Sequence, residues 1–176
     1  FLLAIVSFGD RLEIDVLGLA RVKMPKGAEK LAKAELQLHA HLVPEEGVLC
    51  IDGEISDGSY ILNPMAKLSG GFAFYSWFKD QKDSDDKTIV SAGDFVITLG
   101  GYSPYYRKPD HYPDVPRLAM TYKITDSLFL KASAYFALTP KVFMAGGRLE
   151  GVFETSFVEA QLIIEAHFLI NFEPFQ

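Results

Sequence analysis

The chain has 176 residues, 49% of them hydrophobic, which is enough for one packed domain and short for two. Its formal net charge of −6 excludes a broad cationic surface of the kind that holds a nucleic-acid backbone by releasing counterions. Cys50 is the sole cysteine, so no intrachain disulfide can staple the fold, and this favours a reducing compartment.

Residues 1–8 are apolar, yet far shorter than a membrane span and without a basic leader, so they predict neither a signal peptide nor a transmembrane helix. Localisation otherwise stays open. The expectation is one β domain over residues 1–176, excised from a larger protein. Residues 1–8 and 11–24 predict a hairpin around Gly9 and Asp10, with Leu12, Ile14, Val16, Ala20 and Val22 on one face of the second strand. Gly18 falls in that apolar row, which predicts a bulge or a close backbone approach. In residues 28–42, composition favours helix, but Ala32, Ala34, Leu36, Leu38, Ala40 and Leu42 alternate with Lys33, Glu35, Gln37, His39 and His41, and alternation predicts a strand. A turn at residues 44–47 leads into a strand over 48–55.

Residues 60–65 read as irregular or as a single helical turn, and residues 67–79 as a strand with both faces partly apolar, as in a central position. The charged run 80–87 reads as a solvated loop. A short strand over 94–99 precedes a Pro-, Tyr- and Gly-rich connection at 100–116. Strands over 117–124, 128–138 and 141–154 then form a meander, with a bulge expected at Gly146 and Gly147. Residues 157–172 alternate without a break: Val158, Ala160, Leu162, Ile164, Ala166, Phe168, Ile170 and Phe172 against Glu159, Gln161, Glu165, His167 and Asn171.

The fold class that follows is all-β: an antiparallel meander of nine or ten long strands forming a strongly curved sheet or barrel, with one apolar face. The many small residues in the apolar rows suit close packing and gain little from lipid, so a membrane barrel is disfavoured. If the apolar face is a packed core, Asp in place of Leu162 or Ile164 unfolds the domain.

Two constellations could carry chemistry. His39 and His41 project from one face, and with Glu46 they look like the first metal-binding hairpin of the cupins. The downstream part of that pattern is missing and the pair sits on the polar row, so the expectation is two solvated imidazoles, no metal and no cofactor. The segment 100–117 concentrates Tyr102, Tyr105, Tyr106, Arg107, Lys108, His111 and Tyr112. Rigid aromatics beside cations make a binding rim for a ligand or a protein partner, and the same tyrosines can pack the segment down as a lid. Asp80, Asp83, Asp85 and Asp86 lack the glycine and the terminal Glu of a calcium loop.

The phrases GSY at 58–60, GGFAFYSWF at 70–78, GDFVITLGGYSP at 93–104, HYPDVPRL at 111–118, AYFALTPKVFMAGGRLE at 134–150 and FEPF at 172–175 resemble the domain of unknown function 6603 family, found in large bacterial and fungal proteins. The resemblance runs from about Ile55 to the C-terminus and implies no activity and no catalytic residues. Together with the thin spread of polar residues it points to a non-catalytic structural or interaction module, whose partners are other domains of the parent protein or a separate protein. The alternative is a hydrophobic-ligand carrier lined by Phe72, Phe74, Phe78, Phe136, Phe153 and Phe168. A cupin-like metal enzyme is third.

Overall fold

A computed structural model describes residues 1–9, 11–24 and 32–172. Among them it places fourteen strands and no helix, 63% of these residues being strand. The strands are β1 (Leu2–Ser7), β2 (Glu13–Met24), β3 (Ala32–Val43), β4 (Val48–Ile55), β5 (Tyr60–Ile61), β6 (Ala66–Ser69), β7 (Gly71–Trp77), β8 (Gln81–Lys82), β9 (Thr88–Val90), β10 (Phe95–Leu99), β11 (Leu118–Lys123), β12 (Leu128–Leu138), β13 (Val142–Glu154) and β14 (Glu159–Asn171). Twelve belong to one antiparallel sheet; β8 and β9 make a small separate hairpin, β8 inside the run 80–87 expected to be a loop and β9 just after it. Residues 28–31 of the third predicted strand, and Asp10 of the first predicted turn, lie outside the described residues.

The pairing registers show how twelve strands make a nine-line meander. Along β3, Leu36 faces Ile55 of β4, then Lys33 faces Tyr60 of β5, so β5 continues the line of β4 after a detour at 56–59. Gly70 alone separates β6 from β7. Along β12, Phe136 faces Leu99 of β10 and Ala134 faces Leu118 of β11, so β10 and β11 also share one line, broken by the whole excursion 100–117. The lines therefore run in chain order: β1, β2, β3, β4 with β5, β6 with β7, β10 with β11, β12, β13 and β14.

Hydrogen bonds close a ring through eight strands of this curved sheet. That ring is the rim of the break where β4, β7, β10 and β11 end. Ile55 N donates to Gly70 O at 2.8 Å, Gly100 N to Gly71 O at 2.8 Å and Gly71 N to Pro116 O at 3.1 Å, so the backbone itself seals the break. Gly70 and Gly100 have φ of 125° and 74°, in the left-handed region that favours glycine. A Cβ would sit 2.6 Å from Leu118 Cα at Gly70 and 2.4 Å from Ala134 O at Gly100.

Two expected bulges are absent. Gly146 and Gly147 stay in unbroken register with Tyr135 and Ala134, and the reason for a glycine is space, since a Cβ at Gly146 would lie 2.6 Å from the Tyr135 ring. Gly18, where a bulge or a close backbone approach is expected, pairs in register with Leu2 and Leu38, and the nearest backbone atom to a Cβ there is Phe1 O at 4.0 Å.

The two faces of the sheet differ from what alternation suggests. The excursion 100–117 folds over the face that carries Tyr75, Trp77, Val96, Tyr135, Ala137 and Met144, and the buried clusters lie there. Leu162 and Ile164, on the opposite face, are 65% and 58% exposed. In this chain the continuous Leu, Ile, Phe and Ala rows are therefore an open surface, and the packed core lies on the face that alternates tyrosine with small and polar residues.

Candidate functional site

The excursion leaves the sheet at Gly100 and returns at Arg117, and its tyrosines bind it to the strands beneath. Tyr102 is stacked on Tyr112 at 6.4 Å and tilted against Tyr106 at 6.0 Å, and Tyr112 stacks on Trp77 at 6.0 Å. Tyr102 thus joins the cluster of Trp77, Val90, Val96 and Tyr112 to that of Tyr135, Ala137, Val142 and Met144. The Tyr112 hydroxyl donates to Asp94 Oδ1 at 2.8 Å, and the other oxygen of that carboxylate holds His111 Nε2 at 2.8 Å. Lys108 Nζ donates to the Tyr112 carbonyl at 2.7 Å, and Arg117 donates to the Tyr102 carbonyl at 2.9 Å while its guanidinium lies 4.4 Å from the Tyr135 ring centroid.

Burial moves the ionisation of this group in one direction. Tyr75, Tyr102, Tyr106 and Tyr112 all have phenol pKa values raised above 10, burial being the largest cause in each. Desolvation also lowers that of Arg117. Of the seven residues that the sequence nominates as a rim, Tyr102, Tyr106, Lys108, His111 and Tyr112 are thus bound up in the packing of the segment. Tyr105, 78% exposed, and Arg107 face solvent; Tyr105 meets His167 edge to face at 5.4 Å.

The same face carries a polar cluster beyond the excursion. β2 and β3 pair Asp15 with His41 and Leu17 with His39, and β4 adds Cys50 and Asp52 in the same two rows. Asp15 Oδ1 lies 3.0 Å from His39 Nε2 and 2.8 Å from His41 Nδ1. Those two imidazoles, His39 first, hold the Asp15 carboxyl below the usual carboxylate range. On the far side of the His39 ring, Nδ1 faces Asp52 Oδ2 at 3.4 Å, and the Tyr75 hydroxyl donates to Asp52 Oδ1 at 2.8 Å. Burial, then the charge of Asp52, pushes the Cys50 thiol up to about 11, so it is a poor nucleophile at neutral pH. A cleft of about 420 Å³ opens beside the cluster, lined by Gln37, His39, Asp52, Tyr75, Asp114 and Pro116 among others.

Glu46, which the cupin-like alternative needs as third ligand, sits in the turn after β3 and pairs with Arg11, itself bonded to Glu13. The carboxylate that meets both imidazoles is that of Asp15.

The family model described as a family of unknown function, DUF6603, matches residues 1–176. The chain belongs to this family. No curated protein and no solved structure matches it. The DUF6603 match extends beyond the phrases that carry the resemblance in the sequence and includes His39, His41 and the first two strands. Three of those phrases map onto the centre of the fold: residues 93–104 and 111–118 are the departure and return of the excursion, and 70–78 runs from the sealed break to Phe78, just past Trp77.

Sequence reasoning missed Asp15, Asp52 and Tyr75. Asp15 alternates with Ile14 and Val16 and looks like any solvated strand residue. The signal that could have found it is register, because a hairpin from β2 to β3 that keeps both apolar rows on one face brings Asp15 beside His41.

Proposed function

We propose that this DUF6603 chain is a non-catalytic β module that serves as scaffold or contact surface within a larger assembly, with its apolar face covered by another protein layer. The observation that carries this reading is the openness of that face: Leu2, Val22, Leu99, Phe136, Leu149, Leu162, Ile164 and Phe168 are all exposed on it, from the first line of the sheet to the last. Monomeric proteins rarely expose apolar patches beyond a few hundred Å², and larger ones mark contact surfaces. Sheets that stack face to face bury such rows at about 10 Å spacing, which is the partner geometry this surface suits.

A hydrophobic-ligand reading has one specific observation in its favour. On the apolar face beside the sealed break lies a hollow of about 240 Å³ lined by Ile55, Leu68, Leu118, Met120, Ala132 and Ala134. Of the phenylalanines that would line such a carrier, Phe72, Phe74, Phe136, Phe153 and Phe168 share this face by register. Native mass spectrometry with light scattering separates the readings. Association of the chain without bound lipid supports the contact surface, whereas a monomer carrying a co-purified lipid supports the carrier.

A further inference from the structure

One ligand atom from each of Asp15, His39 and His41 lies within 4.8 Å of the other two, on neighbouring strands whose register holds them there. We propose that these three side chains form a site for a first-row divalent transition metal ion of the zinc class. This goes beyond the scaffold reading and does not depend on it, since the cluster lies on the opposite face of the sheet from the open apolar rows.

The donor set sets the class of ion. Two imidazole nitrogens and one carboxylate oxygen suit zinc or ferrous iron, whereas calcium and magnesium prefer oxygen throughout. All three side chains are partly exposed, at 26% for Asp15, 45% for His39 and 29% for His41, which leaves room for water to complete the coordination.

The second observation lies behind His39. A histidine that ligates metal through one ring nitrogen gives the proton on the other to a carboxylate or carbonyl, which fixes its tautomer. His39 has that arrangement: Nε2 points at Asp15, Nδ1 faces Asp52, and Tyr75 holds Asp52 by its other oxygen. With a metal ion on Nε2, Nδ1 is the ring nitrogen left to donate toward Asp52, so the carboxylate behind the ring stands where an orienting partner is needed. The arginines on β2 and before it are engaged elsewhere, Arg21 with Glu35 and Arg11 with Glu13 and Glu46.

The test uses the tag-free chain stripped with chelator, titrated with Zn²⁺ by calorimetry and with Co²⁺ by visible absorption, folding being checked by circular dichroism. One equivalent is expected to bind. Asp15→Asn and the double variant His39→Ala, His41→Ala are expected to abolish stoichiometric binding while remaining folded. Asp52→Asn is expected to weaken it about 10- to 100-fold, as loss of an orienting carboxylate does. Glu46→Ala is expected to leave it unchanged. Absence of stoichiometric binding in the unmodified chain, binding that survives both Asp15→Asn and the double variant, or dependence on Glu46 in place of Asp15 would overturn the proposal.

Discussion

Four phenols, Tyr112 buried and Tyr75, Tyr102 and Tyr106 half-buried against the packed clusters, make the stability of this fold depend on alkaline pH. In the folded chain Tyr75, Tyr102, Tyr106 and Tyr112 keep their protons above the pH at which a free tyrosine loses its own, about 10. The unfolded state then binds fewer protons than the native one, so the contribution is intact below pH 10 and falls as pH rises past it. Urea midpoints at pH 7, 8 and 11 are expected to hold between the first two and drop at the third. Absorbance at 295 nm should show these phenols ionising together with unfolding; four normal titrations in the folded chain would contradict the packing. Glycines give a second residue-scale test. Gly93 and Gly100 both have positive φ, but a Cβ at Gly93 meets nothing within 4 Å whereas one at Gly100 meets Ala134 O at 2.4 Å. Gly93→Ala therefore carries backbone strain only, of about 1–3 kcal/mol, and Gly100→Ala is expected to cost more by denaturant melts.

At the scale of elements, the excursion 100–117 is held by the side chains that would otherwise be its binding surface. Removing the ring of Tyr112 takes away its stacking on Trp77 and Tyr102 and the bond to Asp94. Tyr112→Ala is expected to cost about 3–5 kcal/mol, in the range for deleting a buried aromatic side chain. Native trypsin should then cut after Arg107 or Lys108 faster than in the unmodified chain; equal rates would mean that the segment is held by something else. The strands around it were legible to different degrees. β14 follows directly from unbroken alternation, β13 from the meander although its expected bulge at Gly146 and Gly147 is absent, and β3 was separable from a helix by alternation despite its Ala, Glu, Lys and Leu content. The breaks within lines were not legible: the detour at 56–59 reads as the end of a strand although β5 continues the line of β4, and residues 67–79 read as one strand although Gly70 interrupts it between β6 and β7. In the candidate site the His pair was legible from its spacing, and the partner was not: Glu46 is near in sequence, while Asp15 becomes near only through the hairpin register.

Across the whole molecule, alternation tells which residues share a face and nothing about what covers it. That is why the rows of Leu162 and Ile164 read as core in the sequence and stand open in the structure. The consequence for mutation is reversed: Leu162→Asp is expected to change the stability of the chain alone by less than about 1 kcal/mol and to reduce its self-association, measured by melts and by light scattering on the same samples. Unfolding by that single change would mean that the face is buried in solution. A sheet that faces its surroundings this way can still tolerate change at its centre. Leu99 stands opposite Phe136 and Leu118 opposite Ala134, so the spacing along β12 is kept regardless of how much chain is looped out between them. The excursion is length-neutral for the sheet. Residues added at its solvent-facing tip, near Tyr105 and Arg107, leave every strand register as it was, and amide exchange across β10, β11 and β12 should be unaltered by such an insertion. The centre of the domain is where new sequence, and with it new specificity, can be added without rebuilding the fold.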